Sequence, residues 1–163
     1  MKKTPTLLMK ELKYYHEEVN RLYSEDQERS SAPINEKNEY KYETGYSYEN
    51  NRREIERIHE EELKIKSALA KFNAVTKVDG LDMTISEALV KIAQLKEDIK
   101  VLMPLANRAE VFRKNDDFRS SAETYKITYN QAKVRDDLRK LQKELTTIQM
   151  AVDRINLTAL VEY

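Results

Sequence analysis

The 163-residue chain contains no cysteine and no tryptophan, and only two glycines and three prolines. Without cysteine there is neither a disulfide framework nor a thiolate for catalysis or metal binding. The two glycines, Gly45 and Gly80, stand too far apart to build a P-loop, a GxGxxG turn or a GxSxG elbow, and HExxH is missing as well. So few chain breakers exclude a many-stranded fold with tight turns and make long helices the expectation. Charge of one sign is also missing: 29 Lys and Arg balance 29 Asp and Glu, so no long-range field concentrates phosphate or anionic lipid. Nucleic acid and membrane surface thereby lose their main attraction. No apolar run approaches the roughly 20 residues of a spanning helix. Near the start, acidic residues interrupt before any apolar run could act as a signal peptide. The expectation is a cytoplasmic protein with a single helical domain over 1–163.

What the chain has is periodicity. Leu8, Leu12, Tyr15, Val19 and Leu22 recur at steps of four and three, as do Val134, Leu138, Leu141, Leu145, Ile148, Val152 and Ile155, the spacing of a helix with one buried stripe. Ile55, Ile58, Ile65, Leu69 and Phe72 form a second stripe, in which Glu62 occupies a seam position. Thr84 and Glu87 form a T-x-x-E capping box ahead of Ala88, Ile92, Leu95, Ile99, Leu102, Ala106 and Ala109. Helices are therefore predicted over about 6–28, 51–73, 84–113 and 130–155, the first capped by Thr4 or Thr6 beside Pro5 and the third kinked by Pro104. Asp79-Gly80 predicts a short hairpin over about 75–84. "ETYKITYN" and "LTALVEY" read as strands, and the polar stretch from Ser24 to Asn38 reads as a mobile linker. The fold class is mainly α, an antiparallel, coiled-coil-like helical bundle with small β-hairpin additions.

"NEYKYETGYSYENN", from Asn38 to Asn51, places four tyrosines within nine positions. If 43–45 is a hairpin loop with Gly45 in the left-handed conformation, a β-hairpin over about 39–49 sets Tyr42 opposite Tyr46 and Tyr40 opposite Tyr48, all on one face. Such rings either pack on their own bundle or bind a partner protein. A base-stacking role would need a cationic groove, which the mixed charges around them do not build. Tyr40, Tyr42, Tyr46 and Tyr48 are the candidate partner-binding residues.

Chemistry offers less. Glu56 and His59 form a Glu-x-x-His, half of a di-iron motif, but the only other histidine, His16, follows Lys13 at that spacing. "DGLD", Asp79 to Asp82, is too short for an EF-hand loop. No metal, no cofactor and no catalytic residue is expected.

Asn73 to Leu89, "NAVTKVDGLDMTISEAL", with its following helix, and Asp136 to Asn156, "DDLRKLQKELTTIQMAVDRIN", resemble the septicolysin-like family of small helical bacterial proteins. The resemblance covers the second half to two-thirds of the chain. It implies a largely helical protein of bacterial or phage origin without an established activity. The family pattern has Trp where this chain has Leu157. The residues and the resemblance together predict a non-enzymatic, self-associating interaction protein that forms a homo-oligomer and binds another protein. A membrane-active, toxin-like protein is the alternative.

Overall fold

The computed structural model describes residues 1–43, 45–114 and 123–163. Among these the chain forms four long helices and four short strands, in the order β1 (Lys2–Lys3), α1 (Pro5–Arg29), α2 (Tyr48–Val75), α3 (Ile85–Asn107), β2 (Val111–Lys114), β3 (Glu123–Lys126), α4 (Gln131–Thr158) and β4 (Val161–Glu162). The fold is mainly α with two small antiparallel strand pairs, β1 with β4 and β2 with β3. Contacts divide it into two units, Met1–Thr76 with Ile155–Tyr163, and Lys77–Arg154.

In the first unit, the start of α1 is fixed by Thr4, whose hydroxyl accepts from Leu7 N–H, with Pro5 at the first helical turn. Thr6, the other candidate cap, instead donates to the Asn156 carbonyl at 2.9 Å. The helix then runs through Arg29, so the first residues of the predicted linker are helical. Ser47 opens α2 by accepting from Asn50 N–H.

The two helices run antiparallel, because the apolar seam joins rising numbers in α1 to falling numbers in α2. Val19 and Leu22 pack on Ile55 and Ile58 under Tyr15. Leu8 packs on Ile65 and on Val161 of β4, flanked by Leu12, Leu69, Phe72 and Tyr163. Each such burial removes about 1.5–3 kcal/mol of apolar surface energy from water, which explains why these stripes and not the charged faces meet. Glu62, the polar break in the α2 stripe, leaves only 15% of its side chain exposed and pairs with Lys66 at 3.0 Å. β1 and β4 close this end, with Lys2 opposite Glu162 and Lys3 opposite Val161. Lys3 bonds Glu11 and lies 5.4 Å from the Tyr163 ring centre. The Glu11 hydrogen bond, then Tyr163, raise the pKa of its ammonium.

In the second unit, the predicted 75–84 hairpin contracts to a single antiparallel bridge, Lys77 to Thr84. Val78 N–H reaches Met83 O at 2.9 Å, and Gly80 takes φ +76° in the turn, a conformation that costs glycine nothing. The Thr84–Glu87 capping box forms as the spacing predicts. In α3 the residues Ala88, Ile92, Leu95, Ile99 and Ala106 are buried, and Pro104 sits in the last turn.

That helix ends at Asn107, not near 113. Arg108 is already extended, and Val111–Lys114 pairs with Glu123–Lys126. Helical period cannot outbid this pairing, in which Phe112 stacks on Tyr125 at 5.8 Å. Carbonyls near the α3 terminus find other donors: Tyr129 Oη at Leu105 O, 2.8 Å; Arg135 Nε at Ala106 O, 3.0 Å; Gln131 Nε2 at Arg108 O, 2.6 Å.

Asn130 Oδ1 receives Lys133 N–H at the start of α4. Along its stripe Val134, Leu138, Leu141 and Leu145 are half-buried, and Ile148, Val152 and Ile155 are buried. Lys91 and Glu144 form an ion pair at 3.3 Å. With the Arg135–Ala106 bond, it fixes α3 and α4 as antiparallel.

Candidate functional site

The tyrosine stretch does not form the hairpin predicted over 39–49. Among the described residues, those from Glu39 to Ser47 contain no named strand, and Tyr48 and Glu49 are helical. The physical reason is the Ser47 cap. Once its hydroxyl holds Asn50 N–H, the residues after it enter α2, and a strand carrying Tyr46 and Tyr48 side by side is no longer possible. Gly45 does take the left-handed conformation, φ +61°.

Tyr40 pairs backward instead, opposite Ile34 in a single antiparallel bridge. The bridge is organised by Asn35. Its Oδ1 accepts from Lys37 N–H at 2.8 Å and Glu39 N–H at 3.0 Å, while Asn38 takes φ 61°, a conformation that asparagine tolerates. Lys41 N–H to Pro33 O, 3.0 Å, completes this loop.

The four rings therefore part company. Tyr46 is the anchor: its hydroxyl donates to Asp26 Oδ1 at 3.0 Å. Asn51 Nδ2 donates to the same oxygen at 2.9 Å, and Arg52 bonds the other oxygen. The Asp26 carboxyl consequently lies below its usual pKa, through the Asn51 bond first and despite its own desolvation. Burial first, then the Asp26 bond, push the Tyr46 phenol up.

Arg52 sits between two rings, 5.4 Å from the centre of Tyr23 on α1 and 5.4 Å from that of Tyr48 one turn earlier on α2. Its Nε is buried without a hydrogen-bond partner. Tyr40, Tyr42 and Tyr48 remain 69%, 59% and 55% exposed.

Two neighbouring clefts open around these rings, both in the first unit. One, of about 380 Å³, is lined by Tyr40, Tyr46 and Tyr48 with Arg29 and Ser30. The other, of about 330 Å³, is lined by Tyr42, Glu28 and Glu43. They share Arg29, Ser31 and Ala32.

The sequence named the four tyrosines. It missed Asp26, Asn51 and Arg52, although the spacing of Tyr48 to Arg52 at i, i+4 was available as a signal. It also missed Arg29 and Ser31, which reach the site only because α1 continues to its end. Glu56 and His59 lie on the exposed face of α2, and His16 meets Asn20 at 3.1 Å. Among the described residues no three His, Cys, Asp or Glu side chains gather in a metal-holding group. Also among them, no helix is long and apolar enough to cross a membrane.

No family model matches the chain, and no curated protein sequence matches it. A solved structure does: a crystal structure of a functionally unknown conserved protein from Corynebacterium diphtheriae is similar over 99% of this chain and 100% of that one. The TM-score is 0.73 at 14% sequence identity. The likeness is one of fold.

Proposed function

We propose that this chain is a non-enzymatic interaction protein that self-associates and holds a partner protein at the tyrosine cluster beside the α1–α2 turn. One observation carries the reading: Tyr40, Tyr42 and Tyr48 stay mostly exposed around two clefts, while Tyr46 and Arg52 tie their segment to Asp26. Rings that only completed a core would be covered. A segment bonded in this way presents them with little further loss of entropy on binding, which favours association. Tyrosine is moreover the residue type whose apolar body and polar tip suit a surface alternately wet and covered.

Self-association draws support from a different place in the same unit. Leu7, Leu157 and Leu160 are each at least half exposed, and the Thr6–Asn156 hydrogen bond joins the segments that carry the first two. An apolar group of this kind is what a second copy would cover.

Membership of the septicolysin-like family belongs to the same proposal, and membrane activity is its competitor. Light scattering of the purified chain is expected to give a mass above 19.2 kDa. Dye-loaded liposomes are expected to stay intact in its presence. A clean monomer at micromolar concentration overturns self-association, and leakage at low protein concentration overturns the interaction reading in favour of the membrane-active one. Tyr42→Ser is expected to weaken partner capture without lowering the melting temperature, whereas Tyr46→Phe lowers the melting temperature.

A further inference from the structure

We infer that the paired tyrosine clefts recognise an extended, proline-rich segment of a partner protein that carries a basic residue beside its prolines. This inference rests on the interaction reading above and names the class of partner.

Three features of the site point the same way. The first is division: two tyrosine-lined clefts adjoin, with Arg29, Ser31 and Ala32 common to their walls. A polyproline II segment, with three residues per turn, sets successive apolar groups along one side and fits a row of separate shallow pockets better than one deep hole. A helix would need a continuous apolar groove instead.

The second feature is hydrogen-bonding sense. Proline has no N–H, so a proline-rich backbone offers carbonyl acceptors and needs donors from its host. The hydroxyl-bearing residues Tyr40, Tyr48, Ser30 and Ser31 line the larger cleft, and Tyr42 and Ser31 the smaller. Each can rotate to donate.

Charge is the third. Arg29, the one cation of the lining, shares the Glu25 carboxylate with Arg21. Glu28, Glu43 and Glu49 line the clefts and have no ion pair among the described residues. The lining thus sets three carboxylates against one guanidinium and is net negative, which repels phosphate and attracts an arginine or lysine adjoining the prolines. Because such a segment is largely extended before it binds, association costs it little conformational entropy, and shallow contacts suffice.

The test uses the full chain and a fluorescent peptide, Arg-Pro-Leu-Pro-Pro-Leu-Pro, read by anisotropy. One comparison peptide has alanine at every proline, and another has glutamate in place of arginine. Saturable binding at submillimolar concentration is expected for the first peptide, weakened about tenfold or more in either comparison peptide. Tyr42→Ser and Tyr40→Ser are each expected to lower affinity about tenfold, with the far-ultraviolet circular dichroism of the native chain retained. Glu43→Lys should disfavour the arginine peptide and favour the glutamate one, a reversal that misfolding cannot produce.

Absence of saturable binding, or equal binding of the proline and alanine peptides, overturns the inference. A photo-crosslinking residue in place of Tyr42 separates this failure from that of the broader reading. Capture of a partner segment without proline removes the proline-rich class and leaves an interaction surface standing. Capture of nothing, together with no peptide binding, removes both.

Discussion

At one end of the α1–α2 pair, Leu8 and Ile65 are buried to 1% exposure or less against Val161 of β4, itself 4% exposed. At the other, the same two helices are joined through Asp26, Tyr46, Asn51 and Arg52. The apolar packing at the first end is non-directional: it asks only that greasy side chains fill a volume, and the hydrocarbon contacts themselves carry no titratable group. The polar end is directional. One carboxylate fixes a phenol, an amide and a guanidinium at defined positions, and through Tyr46 and Arg52 it sets where the exposed rings stand. Such networks are costly when any member is lost, since the others are left desolvated without partners. Apolar cohesion runs along the helix pair, through Val19, Leu22, Ile55 and Ile58 as well, whereas the directional bonds stand at the Asp26 end, and the clefts are found there.

Four measurements would break or sharpen this contrast. Leu8→Ala should have the largest effect, since a truncated, fully buried leucine costs about 2–5 kcal/mol. At this chain length that amounts to a fall of about 4–20 °C in melting temperature, with peptide binding at the clefts retained in the folded fraction. Asn51→Ala should come next, at about 1–3 kcal/mol, because it strips a part-buried bond from the Asp26 carboxylate. Unlike the leucine change, it should also weaken binding at the clefts; if the two variants affect binding equally, the division of labour fails. Ser47→Ala removes the cap of α2 and should cost about 1 kcal/mol, read by chemical denaturation.

The finest test is acid titration of the native chain beside Asp26→Asn. The Asp26 pKa is depressed in the folded state, so its contribution is complete above the ordinary carboxylate pKa of 3.8 and is lost as pH falls through the depressed value. The gap in melting temperature between the two proteins should be constant from neutral pH down to about 4 and shrink below it. The same comparison for Leu8→Ala should show a gap without this pH dependence. A flat gap for Asp26→Asn would mean that the carboxylate does not join the helices as described.

Much of this architecture could be read from residue order alone. The three-and-four spacing placed all four helices, and Thr84 with Glu87 marked the α3 start, because these signals act between residues a turn apart. Errors arose where a local preference met a distant partner. Val111 and Phe112 continue the helical run on paper, yet they pair with Glu123–Lys126 beyond it. Alternating tyrosines from Tyr40 to Tyr48 look like a hairpin, yet Ser47 turns the chain into α2, and Asp26, 20 positions back, holds Tyr46. Of the candidate site, the rings were legible. Their wall of Arg29 and Ser31 and their anchor were not.

Residue order thus settled that there are four helical segments and which face of each turns inward, because backbone hydrogen bonds and side-chain periodicity are short-range properties carried by neighbours. Packing of α1 against α2 settled which tyrosines are held and which are offered. An exposed ring has no local preference strong enough to fix its place, and the carboxylate that fixes Tyr46 is brought near only when the two helices meet.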